Sequence, residues 1–241
     1  MTATATVTAP VKVSPWLASL PGVLDTATTI GDLAKLTRAD EAISALSTPA
    51  VVKAEEAIKA AEVKDTILLS VPVLFDGRYH VQVERVLVLT DTAMYRVYVP
   101  AETDTTGKVE IMCRIPLATI LTVEGASFGW AINPSVCDPE GESVWATWWF
   151  EKVRAARSGR FETVYWVSTK GIDSTLANEW TAQTVPLVCS AIRAAVRIAI
   201  TGTEGAAERI EKLCGDKRWV EGGPAPAKEM QTAAQVEAQA A

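Results

Sequence analysis

From Thr66 onward apolar and polar positions alternate in short runs, each closed by a turn signal, which is the period of half-buried β-strands. The first run covers residues 66–75 and ends at Asp76-Gly77. The second covers residues 79–89, and its Val86-Leu87-Val88-Leu89 tail is continuous apolar sequence, as in a strand buried on both faces. Thr90-Asp91-Thr92 turns the chain into a third strand at 94–99, and Asp104-Thr105-Thr106-Gly107 turns it into a fourth at 108–115. Pro116 stops that strand because it has no N–H to give to a ladder. A fifth strand covers 120–124 and resumes after Gly125 through Ile132. Residues 143–150 and 160–168 make the sixth and seventh, joined by 152–159.

Outside this zone the period changes to that of a helix. Thr48-Pro49 is a start signal, a hydroxyl cap followed by a proline in the first turn, where its missing N–H has no partner to lose. Val51, Ala54, Ile58 and Ala61 then share one face, and Glu55 and Lys59 stand one turn apart. An earlier helix is expected over 29–46, with Ile30, Leu33, Ile43 and Leu46 turned inward. Neither has much apolar bulk, so both should lean on the sheet. After the strands comes one apolar helix, capped by Asp173 or Ser174 and reaching Ile200 despite Pro186. Val188, Ile192, Ala195, Val196 and Ala199 form its inward stripe, with Arg193 and Arg197 on the outer side. The expected organisation is a flexible segment at 1–25, a helical extension at 26–65, a domain at 66–200, a short helical extension at 201–220 and a disordered tail at 221–241.

Composition narrows the function. Of 241 residues, 23 are Lys or Arg and 29 Asp or Glu, a net charge of −6, which disfavours a nucleic-acid binder relying on phosphate neutralisation. The single histidine, His80, excludes any site needing two imidazoles. Cys113, Cys137, Cys189 and Cys214 form no Cys-x-x-Cys pair and no zinc spacing, so they read as reduced thiols in a cytoplasmic protein with no metal. Asp138, Glu140 and Glu142 lie in a Pro/Gly loop without calcium-loop spacing and read as a solvated acidic loop. No phosphate-binding glycine loop occurs, and no cofactor is implied. The N-terminus lacks the apolar core of a signal peptide. Residues 185–200, interrupted by Arg193 and Arg197, fall short of the ~20 needed for a transmembrane segment.

Seven antiparallel strands followed by one apolar helix make an α+β fold, a bent sheet or barrel corked by its C-terminal helix. Two segments give that order a family likeness. Residues 85–96, Arg-Val-Leu-Val-Leu-Thr-Asp-Thr-Ala-Met-Tyr-Arg, resemble a hairpin of pleckstrin-homology (PH) and GRAM domains. Cys113-Arg114-Ile115-Pro116-Leu117-Ala118-Thr119-Ile120 resembles a second segment of the same modules. With Gly125-Ala126-Ser127-Phe128, the stretch from Thr66 to Ile200 is most similar to the homology domain of Sac-type inositol phosphatases, which a small family of presynaptic vesicle-associated proteins shares. The resemblance implies a PH-like fold and work in membrane traffic. It does not bring phosphatase activity, because the positions six beyond the four cysteines are Thr119, Ser143, Ala195 and Val220 rather than the arginine such a loop requires.

Two surfaces remain as candidate sites. Lys152, Arg154, Arg157 and Arg160 supply four of the nine basic residues among positions 66–168, against twelve acidic ones, and sit at a hairpin tip where they could meet an anionic lipid or an acidic partner. Trp145 and Trp149 fall on one face of the expected sixth strand, and Trp166 on the opposite face from Phe161 and Tyr165 in the seventh. One sheet face must be core; the other needs cover from the N-terminal helices, a second copy or another protein. The reading is a non-catalytic cytoplasmic adaptor that associates with proteins, itself included, with weak peripheral membrane attachment. The competing readings are a phosphoinositide- or anionic-lipid-binding module and a structural subunit of a cytoskeletal or ciliary assembly.

Overall fold

The computed structural model describes residues 15–39, 46–61, 64–76, 82–101, 103–104, 107–127, 129–135, 163–170 and 172–213. Five helices, α1 (Pro15–Leu24), α2 (Ile30–Thr37), α3 (Pro49–Ala60), α4 (Ala177–Ile200) and α5 (Ala206–Lys212), accompany seven strands among these residues. The strands are β1 (Ile67–Asp76), β2 (Gln82–Thr90), β3 (Ala93–Tyr98), β4 (Glu110–Pro116), β5 (Ile120–Gly125), β6 (Gly129–Pro134) and β7 (Thr163–Val167). They form one antiparallel sheet in the order β4-β3-β2-β1-β7-β6-β5. Among the described strands the first therefore pairs with the last, joining two meanders with β4 and β5 outermost.

Alternation along each strand sorts its side chains between two cores. Leu69, Val71, Val73 and Phe75 of β1, Leu87 and Leu89 of β2 and Met94 of β3 turn to the main core, which also holds Val123, Trp130, Ile132 and Tyr165. Residues from both ends of the sheet meet in this one cluster, so the sheet bends around it. Helix α4 fills the concave side, packing on β1, β5, β6 and β7. Its other side is covered by α1 and α2, and more than half of its residues are buried. The intervening positions of the second and third strands, Val86, Val88, Ala93, Tyr95 and Val97, face outward and are covered by Val51, Ala54 and Ile58 of α3 in a separate small core.

The start of α3 is as its sequence indicates, with Thr48 Oγ1 accepting from the Val51 N–H and Pro49 in the first turn. Several other boundaries differ. The segment at 1–25, expected to be flexible, contains α1, whose Leu20 and Leu24 lie in the main core. Helix α2 starts at its Thr29 cap but stops at Thr37, where Arg38 leaves helical geometry. Leu46 is buried all the same, whereas Ile43 lies outside the described residues. Helix α4 begins at Ala177, because Asp173 caps the preceding turn instead by accepting from the N–H and hydroxyl of Thr175. Ala199 is exposed, and Ala61 likewise lies outside the buried face of α3. Arg193 and Arg197 are not turned to solvent; they donate to the carbonyls of Val123 and Ala27.

The expected continuation of the fifth strand is a strand of its own, β6, antiparallel to β5. Ala126 N–H donates to the Gly129 carbonyl across the tight connection between them. The expected strand at 143–150 lies outside the described residues. Helix α4 has 24 residues and is apolar enough to cross a membrane by length and composition, with 67% of its most apolar window buried inside the protein.

Candidate functional site

Of the residues singled out from the sequence, Lys152, Arg154, Arg157, Arg160, Trp145, Trp149, His80, Asp138, Glu140 and Glu142 lie outside the described residues. Trp166 is described, in β7 between Tyr165 and Val167, which both point into the main core. Expected at an exposed protein interface, it is only 5% exposed within the single chain, and its Nε1 is buried without a hydrogen-bond partner. A side chain already covered in the monomer offers little surface to a partner.

Three polar constructions stand out among the described residues, and the sequence signalled none of them as a site. The first joins the two segments that carry the family resemblance. The hydroxyls of Thr90, Thr92 and Tyr95 all donate to Asp65 Oδ2, with Thr90 and Tyr95 at 3.0 Å. Arg114 of β4 then donates through Nε to the Tyr95 hydroxyl at 3.1 Å and through Nη2 to Thr92 at 3.4 Å. Burial works to raise the Asp65 pKa, but the three hydroxyl bonds and the charge of Arg114 bring it below the ordinary value. Burial and Asp65 together push the Tyr95 phenol up against the opposing pull of Arg114. Leu117 and Ile120, from the same second segment, are core residues. Both motifs therefore do structural work, pinning the hairpin to the strand beside it.

The second construction lies in the main core. Arg96 is 1% exposed, with its guanidinium 3.7 Å from the centroid of Phe75 and 5.9 Å from that of Tyr165. Its Nη1 donates to the Tyr165 hydroxyl at 3.4 Å, and the Tyr165 ring stacks on Trp130. A planar, weakly hydrated cation suits such an aromatic cage better than an ammonium would.

The third is a cavity of about 40 Å³ between α2, α3 and β1, with Thr37, Arg38, Ser47, Glu55 and Ser70 among its lining. Arg38 grips Glu55 with both nitrogens, at 2.7 and 3.2 Å. Glu55 thus takes its hydrogen-bonding partner from the C-cap of α2, not from Lys59 one turn on. Burial raises the Glu55 pKa, yet the hydrogen bonds and charge of Arg38 and the charge of Lys59 outweigh it and leave the pKa lowered. The pair contributes stability that is fully present above the ordinary carboxyl value of 4.5 and is lost as pH falls through the depressed folded value. Glu55→Gln is expected to lower the melting temperature at about pH 7, and that deficit is expected to shrink as the pH falls below 4.5 and through the depressed folded value. Thermal melts across that range check this, and a deficit independent of pH would remove the ion pair as its cause.

Chemically these groups hold and orient, and none is set up as a nucleophile. The cavity has room for water molecules, not for a headgroup or a cofactor. The Cys189 thiol is pushed up to about 12 by burial, with Arg193 opposing only in part, so it carries no thiolate at neutral pH. Among the described residues no three His, Cys, Asp or Glu side chains gather as a metal site. Comparison of the chain with protein-family models, with curated proteins and with solved structures gave no match in any of the three.

Proposed function

We propose that the chain is a non-catalytic, PH-like adaptor that works in the cytoplasm by associating with other proteins or with itself. The observation that carries this reading is the strand order β4-β3-β2-β1-β7-β6-β5, with the helix that follows the last strand seated in the concave side. The two sequence segments that resemble PH and GRAM domains interlock within this sheet through Tyr95, Thr92 and Arg114, which supports the reading. With its interior filled by α4 and an arginine–aromatic cage, and α3 covering part of its outer face, the sheet is read as a scaffold whose recognition falls to the exterior of the domain. The burial of α4 between the sheet and two other helices supports its role as a core helix.

Migration of the chain in an extract of its own cells tests the association. It is expected in a species of discrete mass well above its own 25.8 kDa, and migration as the free chain would overturn the reading. Flotation with phosphatidylserine vesicles separates the lipid alternative, because four basic residues near an anionic surface contribute ~4 kcal/mol at most. Flotation is expected to vanish at about 0.15 M salt. Retention there, abolished by charge reversal at Lys152, Arg154, Arg157 and Arg160, would transfer the function to lipid binding.

A further inference from the structure

Among the described residues β5 is the last strand of the sheet, and no described strand lies beside its outward backbone groups. At Val123 they are nevertheless both occupied. The carbonyl accepts Nε and Nη2 of Arg193 from α4, at 3.1 and 2.7 Å. The N–H donates at 2.8 Å to the carbonyl of Leu213, which stands just past the end of α5. The Leu213 side chain is 4% exposed and belongs to the main core. Helix α5 itself has no fully buried residue; Ile210, three before Leu213, is half-buried against the same core, and Arg209 donates to the Ala118 carbonyl. The link from α4 to α5 contains Gly202 and Gly205, both at positive φ (83° and 71°) with open space around them. Glycine takes these angles without strain, so this link is the point at which α5 can be redirected relative to α4.

We propose that the β5 edge and the adjoining flank of α4 form a peptide-binding socket, which α5 and Leu213 hold closed as a hinged strap. The chemistry of its ligand is written in the resident. It is a segment of a partner protein that brings two aliphatic side chains spaced like Ile210 and Leu213, followed by a backbone carbonyl for the Val123 N–H. An acceptor is required and a donor is not, since Arg193 already occupies the Val123 carbonyl. This is strand-edge recognition with an aliphatic anchor, suppressed in cis until the partner outcompetes a strap in which Leu213 is the one fully buried side chain among the described residues of 202–213. The inference deepens the association reading by naming the surface and the partner's chemistry. Val123 exchange reports the strap alone and extract migration the association alone, so each can fail separately.

The test is hydrogen exchange at the Val123 amide of the full chain, followed with a peptide of residues 203–213 as the probe. In Leu213→Ala, Val123 is expected to exchange at least tenfold faster while β6 amides keep their wild-type rates. Excess peptide is expected to restore protection, and a peptide carrying Leu213→Asp is not. Acceleration of β6 together with Val123, or absence of rescue, would make the strap an integral part of the fold and overturn the proposal. A second variant carries a protease site between Gly202 and Gly205, cut after folding. Excess peptide is expected to displace the freed segment on size exclusion, and retention against it overturns the proposal equally. Concentration-dependent dimerisation on light scattering, lost in Leu213→Asp, would make a second copy the occupant and overturn a foreign partner.

Discussion

Gly129→Ala is expected to prevent the β6–β7 pairing and with it a stable fold. A Cβ at this position would stand 2.0 Å from the Tyr165 carbonyl oxygen and 3.0 Å from the Trp166 Cα. Both are backbone atoms of the paired strand, in register with β6 through Gly129 to Trp166 and Trp130 to Tyr165. No rotamer change relieves such a contact, so the strands must separate. The adjacent Trp130–Tyr165 stack and the cage around Arg96 would separate with them. A loss of more than about 4 kcal/mol is expected, which for a marginally stable chain means aggregation or no transition. Gly22→Ala is the matched control, because Gly22 lies within α1 with nothing within 4 Å of its Cβ direction. That change is expected to stabilise by roughly 0.5–1 kcal/mol. Urea unfolding followed by tryptophan fluorescence reads both, and a well-folded Gly129→Ala protein would contradict the register of β6 on β7.

Arg96→Ala is expected to destabilise by about 3–5 kcal/mol, the range for truncating a large buried side chain to alanine. Two losses combine in it. The guanidinium leaves the face of Phe75 and the hydroxyl of Tyr165, and the vacated stem leaves a cavity in the main core. Arg96→Met separates them by keeping the packing of the stem without the charge. It is expected to fall between wild type and Arg96→Ala, recovering about 2 kcal/mol of the loss through restored packing. In thermal melts the alanine variant should fall by roughly 10 °C, at ~2–4 °C per kcal/mol for a chain of this size. An alanine variant within 1 °C of wild type would show that the cage adds nothing to stability.

Legibility in the sequence followed the range of the interaction. Strands β1 to β4 and the capped start of α3 were readable because alternation, turn residues and a Thr-Pro cap act over a few positions. Helix α1 escaped notice because a ten-residue segment containing Pro21 carries weak helical signal, and its anchors Leu20 and Leu24 are buried only against the main core. The separation of β6 from β5 escaped because alternation continues on both sides of a short glycine-flanked connection. The candidate site was least legible. Arg38 and Glu55 are 17 residues apart, and Arg96 and Tyr165 are 69 apart. In the sequence Arg96 occupies an ordinary place within a strand, and only its inward register makes it a core cation.

By itself the chain of residues determined that there would be an antiparallel sheet and a long apolar helix after it, since periodicity and turn chemistry are local properties of the backbone. Tertiary structure decided which face each strand turned inward, which helix covered which side, that α3 would lie outside while α1 and α2 joined α4, and that Leu213 would occupy the β5 edge. Those choices rest on burial shared between residues far apart in the chain. Their free energy exists only once the intervening loops have closed, so no local pattern records them.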